Sequence, residues 1–180
     1  EFFTPPEVGK IMALIMQPAP GMQIYDPTCG SAGLLIKCEQ VLNDEMTAKG
    51  VKTFAPLTLF GQELEKDNWA MAKINMIIHD MEGEIEYGDT FTNPKFKDST
   101  GHGIRKFDRA VANPMWNQPG FKEELYTNDP YNRFPAGNPG GKADWGWIQH
   151  IYSSLKDNGR AAVVLDTGAA SRGSGNANSN

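Results

Sequence analysis

Asp26 and the run after it, Pro27-Thr28-Cys29-Gly30-Ser31-Ala32-Gly33, have the types and spacing of a ligand cradle. They follow a short apolar stretch that reads as a strand and precede a helical pattern. A carboxylate therefore stands where a strand's carboxyl end meets a crevice, and the small residues Gly30, Ser31 and Gly33 admit a ligand close to the backbone. Thr28 and Cys29 fill the early part of the turn, so it is not G-x-G-x-x-G, and it lacks the Lys-Ser/Thr of a phosphate loop. A nucleotide held here is not held mainly by its phosphates. Two further acids close predicted strands. Glu63, ending Leu57–Gln62, can accept from both hydroxyls of a ribose; Asp89, in Gly88-Asp89-Thr90-Phe91, can accept from an adenine amine, with Phe91 packing on the ring. Each also has an ordinary use, Glu63 as a surface residue and Asp89 as a turn former. Another strand, 107–112, runs into Asn113-Pro114-Met115-Trp116. There the Asn113 side-chain carbonyl and the Pro114 backbone carbonyl can each accept from an exocyclic NH2, while Trp116 can stack on the ring that carries it.

The elements that must position these residues alternate between the two hydrophobic periods. Val8, Ile11, Met12 and Ile15 predict a first helix, with Thr4 as N-cap and Pro5 at its first position. Residues 22–25 predict the opening strand, and Leu34, Leu35, Cys38, Val41 and Leu42 the helix after the turn, which stops at Gly50. After the second strand, Ala70, Ile74, Ile77 and Ile78 predict the buried face of another helix. A third strand covers 84–87. Residues 92–105 and 117–142 are rich in Pro, Gly and polar residues and predict loops, the longer one on the substrate side, with Phe121, Tyr126, Tyr131 and Phe134 as anchors. A helix from Asp144 to Gly159 and a buried strand at 161–165 follow, and 167–180 reads as a Gly/Ser/Asn-rich loop or disordered tail. The fold class expected is α/β: an open, mostly parallel, Rossmann-like sheet with its ligand crevice at the strands' carboxyl ends.

Asp-Pro-Thr-Cys-Gly-Ser-Ala-Gly at 26–33 followed by Asn-Pro-x-aromatic at 113–116 resembles the DNA adenine-N6 methyltransferases, in particular the methylation subunits of type I restriction-modification systems. Phe2-Phe3-Thr4-Pro5, Gly61-Gln62-Glu63 and Gly88-Asp89-Thr90-Phe91 extend the likeness over nearly the whole chain, with Met115 standing where the family usually has a second proline. The resemblance implies the class I S-adenosylmethionine-dependent fold, apparently shortened at both ends, with a catalytic core over 1–166. It implies S-adenosyl-L-methionine as cofactor: Phe3, Thr4, Asp26 and the turn residues Thr28, Cys29, Gly30, Ser31 and Gly33 at its methionine end, Glu63 at the ribose, and Asp89, Thr90 and Phe91 at the adenine. It further implies that Asn113, Pro114 and Trp116 hold a flipped-out adenine, and that DNA is reached through a separate specificity subunit in a hetero-oligomer, with a restriction subunit as a further partner.

Charge bears on that expectation. The 180 residues carry a net charge of −5, with no Lys/Arg cluster, whereas a chain gripping duplex DNA alone usually presents a basic surface. Either DNA is held by another subunit or the amine belongs to a different substrate. A protein-glutamine or other amine methyltransferase, a cytosine-N4 methyltransferase and a cofactor-binding but inactive assembly subunit all stay open. Two cysteines and three histidines have no metal-ligand spacing, so no metal is expected and the thiols read as free. No apolar run is long enough to span a bilayer, which makes cytoplasm the expected location.

Overall fold

A computed structural model describes residues 4–171. Five strands form one sheet in the order β3-β2-β1-β4-β5, and every pairing is parallel. They are β1 (Gln23–Asp26), β2 (Thr58–Glu63), β3 (Glu82–Tyr87), β4 (Phe107–Ala112) and β5 (Leu155–Val163). Helices α1 (Pro6–Met16), α2 (Gly33–Ala48), α3 (Lys66–Ile78), α4 (Glu123–Thr127) and α5 (Asp144–Ser153) complete the frame. The chain winds outward through β1, β2 and β3, then returns to lay β4 against the other side of β1. That reversal opens the crevice of a doubly wound sheet between the ends of β1 and β4.

Parallel strands covered on both faces bury consecutive residues, and the two faces here differ in kind. Ile24, Leu59 and Val111 join Met12, Met16, Leu35, Cys38 and Leu42 from α1 and α2 in an aliphatic core. Their neighbours Tyr25 and Phe60 turn the other way and meet Phe96 and Phe107, with the Tyr25 and Phe107 rings stacked 4.6 Å apart.

Several elements depart from expectation, each for a local reason. Pro5, not Thr4, is the N-cap of α1, and no side chain caps it; the Thr4 hydroxyl is turned to the site instead. In α3 the buried residues are Ala72 and Met76, with Trp69 packed beside them, while Ala70, Ile74, Ile77 and Ile78 are exposed. This helix is apolar on two sides, so periodicity alone cannot choose its face; the Trp69 indole, donating to the Ile85 carbonyl at 3.0 Å, does. Helix α5 ends at Ser153 and not near Gly159; there the hydroxyls of Ser153 and Ser154 donate to the carbonyls of His150 and Ile151, competing with the backbone N–H groups that would continue the helix. Strand β5 thus starts earlier than expected and bulges: two steps along β4 from Phe107 to Arg109 match five along β5 from Leu155 to Arg160. It is an edge strand, so Ala161 is exposed and Val163 only half-buried. The stretch 117–142 holds α4 and packs firmly, Phe121, Tyr126 and Phe134 clustering with Phe91 and Trp147. Thr167–Ala170 is a short 3-10 turn whose Ala169 is buried, its carbonyl accepting from the Trp145 indole; the rest of the expected tail, from 172, lies outside the described residues. Among the described residues no helix is long and apolar enough to cross a membrane.

Candidate functional site

The turn after β1 is built by its own side chains and then gripped from both sides. Asp26 Oδ1 accepts from the Thr28 N–H at 2.9 Å, closing the first bend, and Gly30 and Ala32 take positive φ angles of 53° and 67° to complete it. Strand β2 supports it from one side. The Gln62 carbonyl accepts from the Cys29 N–H at 3.1 Å, and Glu63 Oε2 from the Gly30 N–H at 2.8 Å. Gly61 must be glycine for this contact, since a Cβ there would sit 2.8 Å from both Cys29 Sγ and Ile85 Cδ1. From α3, Asn75 Nδ2 donates to the Ser31 carbonyl at 2.9 Å. From the turn after β3, the Thr90 hydroxyl donates to the Pro27 carbonyl at 2.6 Å.

A cavity of about 390 Å³ opens over this turn. Thr4, Asp26, Thr28, Cys29, Gly30, Ser31, Gly33 and Asn113 all line it, so residues far apart in sequence meet as expected. Lys37, Gln40, Asn68, Asn75 and His79 extend the wall toward α2 and α3. Glu63, Asp89, Thr90, Phe91, Pro114 and Trp116 do not line this cavity. Glu63 spends both carboxylate oxygens on backbone, Oε1 accepting from the Glu65 N–H at 2.8 Å. Asp89 takes the turn role, with Oδ1 accepting from Phe91 N–H and Oδ2 from the Thr92 hydroxyl. The Phe91 ring is a correction to the sequence reading: it is 1% exposed and stacks on Phe121 at 4.3 Å, so it supports its turn from behind and has no free face for a bound ring. Phe3 lies outside the described residues.

Asn113 leaves the end of β4 beside the end of β1. Its Nδ2 donates to the Thr4 hydroxyl at 3.0 Å, and its Oδ1 accepts from the Trp116 indole N–H at 3.2 Å. An indole nitrogen only donates, which fixes the orientation of the amide. The same N–H also reaches the Val164 carbonyl at 3.3 Å, so the half-exposed Trp116 ring lies over the acceptor that a substrate amine would need.

The site's electrostatics follow from burial. Asp26 is 1% exposed; desolvation raises its pKa to about 7 against the Thr28 N–H bond, and the nearby Glu63 carboxylate pushes the same way. Burial, with Asp26 and Glu63 beside it, also raises the Cys29 thiol well above its ordinary value, so it remains a neutral thiol and no nucleophile.

Residues missed by the sequence reading do the bracing. Gln62 is fully buried, donates to the carbonyls of Gly88 and Asn93 and accepts from the Lys95 N–H, pinning the turn after β3. Its signals were a polar residue following the buried run Leu59–Gly61 and its place in Gly61-Gln62-Glu63. Asn75 carried no signal beyond its place on a helix, and Arg133 none but its acid four positions earlier.

The sequence pattern for N-6 DNA methylases matches residues 1–179. The chain belongs to the N-6 DNA methylase family. It is similar to the type I restriction enzyme MjaVIII methylase subunit of Methanocaldococcus jannaschii, 35% identical over 96% of this chain and 29% of that protein. The HindI methylase subunit of Haemophilus influenzae is 29% identical over 95% of this chain and 36% of its own length. This N-6 DNA methylase chain therefore spans about a third of the curated relatives it matches. Among solved structures, the methyltransferase subunit of a type I restriction-modification system from Streptococcus thermophilus superposes with a TM-score of 0.75 and 29% identity, covering 93% of this chain and 35% of that one. A putative class I S-adenosylmethionine-dependent methyltransferase from Listeria monocytogenes shares the fold at a TM-score of 0.65 and 15% identity, over 93% and 47% of the two chains. The architecture of this N-6 DNA methylase is the class I methyltransferase sheet.

Proposed function

We propose that this chain is the catalytic core of a DNA adenine-N6 methyltransferase using S-adenosyl-L-methionine, within the modification subunit of a type I restriction-modification system. The observation that carries it is the meeting of Asp26 and Asn113 around one cavity, from neighbouring strands at the reversal of the sheet, with Thr4 between α1 and Asn113. The residues fit the cofactor. A Cβ at Gly30 or Gly33 would meet nothing within 4 Å, so the turn leaves open space beside a buried carboxylate. When bound, the cofactor supplies a sulfonium-activated methyl group whose departure leaves a neutral thioether.

Asp26 would pair with the cofactor's ammonium and the turn backbone with its carboxylate, while Glu63 at the ribose and Asp89 at the adenine amine would accept through the second lone pairs that their present bonds leave on each oxygen. Asn113 Oδ1 and the Pro114 carbonyl accept from the target amine, drawing its nitrogen toward tetrahedral geometry and freeing a lone pair otherwise delocalised into the ring. As the N–C bond to the methyl forms, the amine sheds a proton to solvent. Trp116 must give up its bond to Asn113 as the amine arrives, which frees its ring to stack on the base. Orientation does most of the remaining work. The net charge of −5 supports a division of labour in which a basic specificity subunit grips DNA, in the cytoplasm, and this chain supplies chemistry.

The test is single-turnover methyl transfer by the assembled enzyme on unmodified DNA. Asn113→Ala is expected to lower the rate by about 100-fold or more, the loss of a few kcal/mol of transition-state binding, while calorimetry shows S-adenosylhomocysteine affinity nearly unchanged. A near-normal rate removes Asn113 from the chemistry and leaves an assembly role. Binding of NAD as tight as that of S-adenosylhomocysteine overturns the cofactor assignment.

A further inference from the structure

Arg133 is the largest of the fully buried side chains among the described residues, 2% exposed, and it sits in the loop that follows Asn113 by twenty positions. An arginine removed from water is tolerated only where its donors are met, and here they are. Nε and Nη2 donate to Asp129 Oδ1 at 3.0 and 2.7 Å, and the same carboxylate accepts from the Arg133 N–H at 2.7 Å. That ion pair is local to the loop. Yet Nη1 also donates to the Thr90 carbonyl at 2.8 Å and Nη2 to the Phe91 carbonyl at 2.7 Å, the two residues after Asp89.

We infer that Arg133 is a positioning residue of the site: it clamps the 117–142 loop to the turn carrying Asp89 and Thr90, so that the cofactor side and the substrate side are set by one guanidinium. The inference rests on the function proposed above. The Asp89 carboxylate is oriented by the Phe91 N–H, whose own carbonyl Arg133 holds; the Thr90 hydroxyl reaches across to the Pro27 carbonyl in the turn after β1. Arg133 thus connects through Thr90 to both turns of the cofactor side. Its remaining Nη1 bond, 3.4 Å to His150 Nδ1, makes that nitrogen the acceptor and leaves the proton on Nε2, which lies 3.0 Å from the Tyr25 hydroxyl next to Asp26. Burial and the Arg133 charge hold His150 neutral, its pKa lowered to about 3, so the link persists at working pH. Lysine cannot replace this fork, because one ammonium cannot span the carboxylate and both carbonyls.

Hydrogen exchange on the assembled enzyme, with and without S-adenosylhomocysteine, reads the coupling directly. In the native protein the nucleoside should slow exchange over 28–33, 89–93 and 128–138 together. In Arg133→Lys, protection over 28–33 should persist, that over 128–138 should vanish, and S-adenosylhomocysteine affinity should fall about tenfold, in the range of ordinary coupling between sites. Unchanged affinity, or loop protection equal to native, overturns the inference. Should Arg133→Lys lack a cooperative thermal transition, Asp129→Asn, which keeps the acceptor and loses the charge, is measured against the same criteria. Failure of the native protein to bind S-adenosylhomocysteine at all would instead overturn the methyltransferase reading, and this inference with it.

Discussion

Asp26 is asked to be a carboxylate in a place that resists one. Burial raises its pKa from an ordinary 3.8 to about 7, so the folded state binds a proton more tightly than the unfolded state does. Its contribution to stability is then full below pH 4 and lost as pH rises through 7. Each tenfold gain in proton affinity corresponds to about 1.4 kcal/mol, so Asp26→Asn should stabilise the chain at pH 8 by up to about 4 kcal/mol, and the gain should vanish near pH 4. Urea titrations of both proteins across that range test it, and a gain independent of pH would rule out the burial argument. The strain suits the proposed cofactor, whose ammonium would lower the same pKa; affinity should therefore rise with pH through 7. Residue types disclosed this much because a carboxylate ahead of a glycine-rich turn and an amide ahead of Pro114 both fall at the carboxyl ends of predicted parallel strands, where such sheets place their ligands. They did not disclose that Trp116 covers Asn113 or that Phe91 faces inward, since both depend on side chains from distant segments.

Among the elements, α3 shows where periodicity stops deciding. Its two apolar stripes are both helical in spacing, and the sheet accepts the one with Trp69, Ala72 and Met76. Met76→Ala should therefore cost about 2–5 kcal/mol, the usual range for a buried methionine, while Ile77→Ala, at a position 79% exposed, should cost less than about 0.5 kcal/mol. Denaturant midpoints of the two variants compare them directly; equal losses would mean that the stripes have been exchanged. The boundary between α5 and β5 was hidden for a different reason. Ser153 and Ser154 fall inside the helix expected from Asp144 to Gly159, and their hydroxyl bonds to the preceding carbonyls form only once the chain has turned there.

At the scale of the molecule, strand and helix alternation was enough to announce an open parallel sheet, because each period switch marks a crossover. The strand order was less accessible. Nothing in the composition of β4 says that it returns to β1 rather than extending past β3; the reversal becomes legible only when Asn113 is required near Asp26. The long stretch 117–142 looked unstructured because its Pro and Gly content hides a clamp made by one arginine and a cluster of rings.

That return of β4 to β1 sets an order in time. Among the described residues no two strands are joined by a hairpin, and the β1–β4 contact joins positions as far apart as Gln23 and Asp108, 85 residues along the chain. Loop closure over such a distance is slow compared with pairing through a single crossover helix, so β1, β2 and β3 should assemble first and β4 should join them late. Leu59→Ala in β2 is then expected to slow refolding, whereas Val111→Ala in β4, equally buried, should chiefly hasten unfolding. Stopped-flow traces showing Val111→Ala to slow refolding as much as Leu59→Ala would reverse the order. On this route the turn around Asp26 exists before Asn113 arrives, and the chain passes through a stage in which one half of the proposed site is already built while its counterpart is still unfolded.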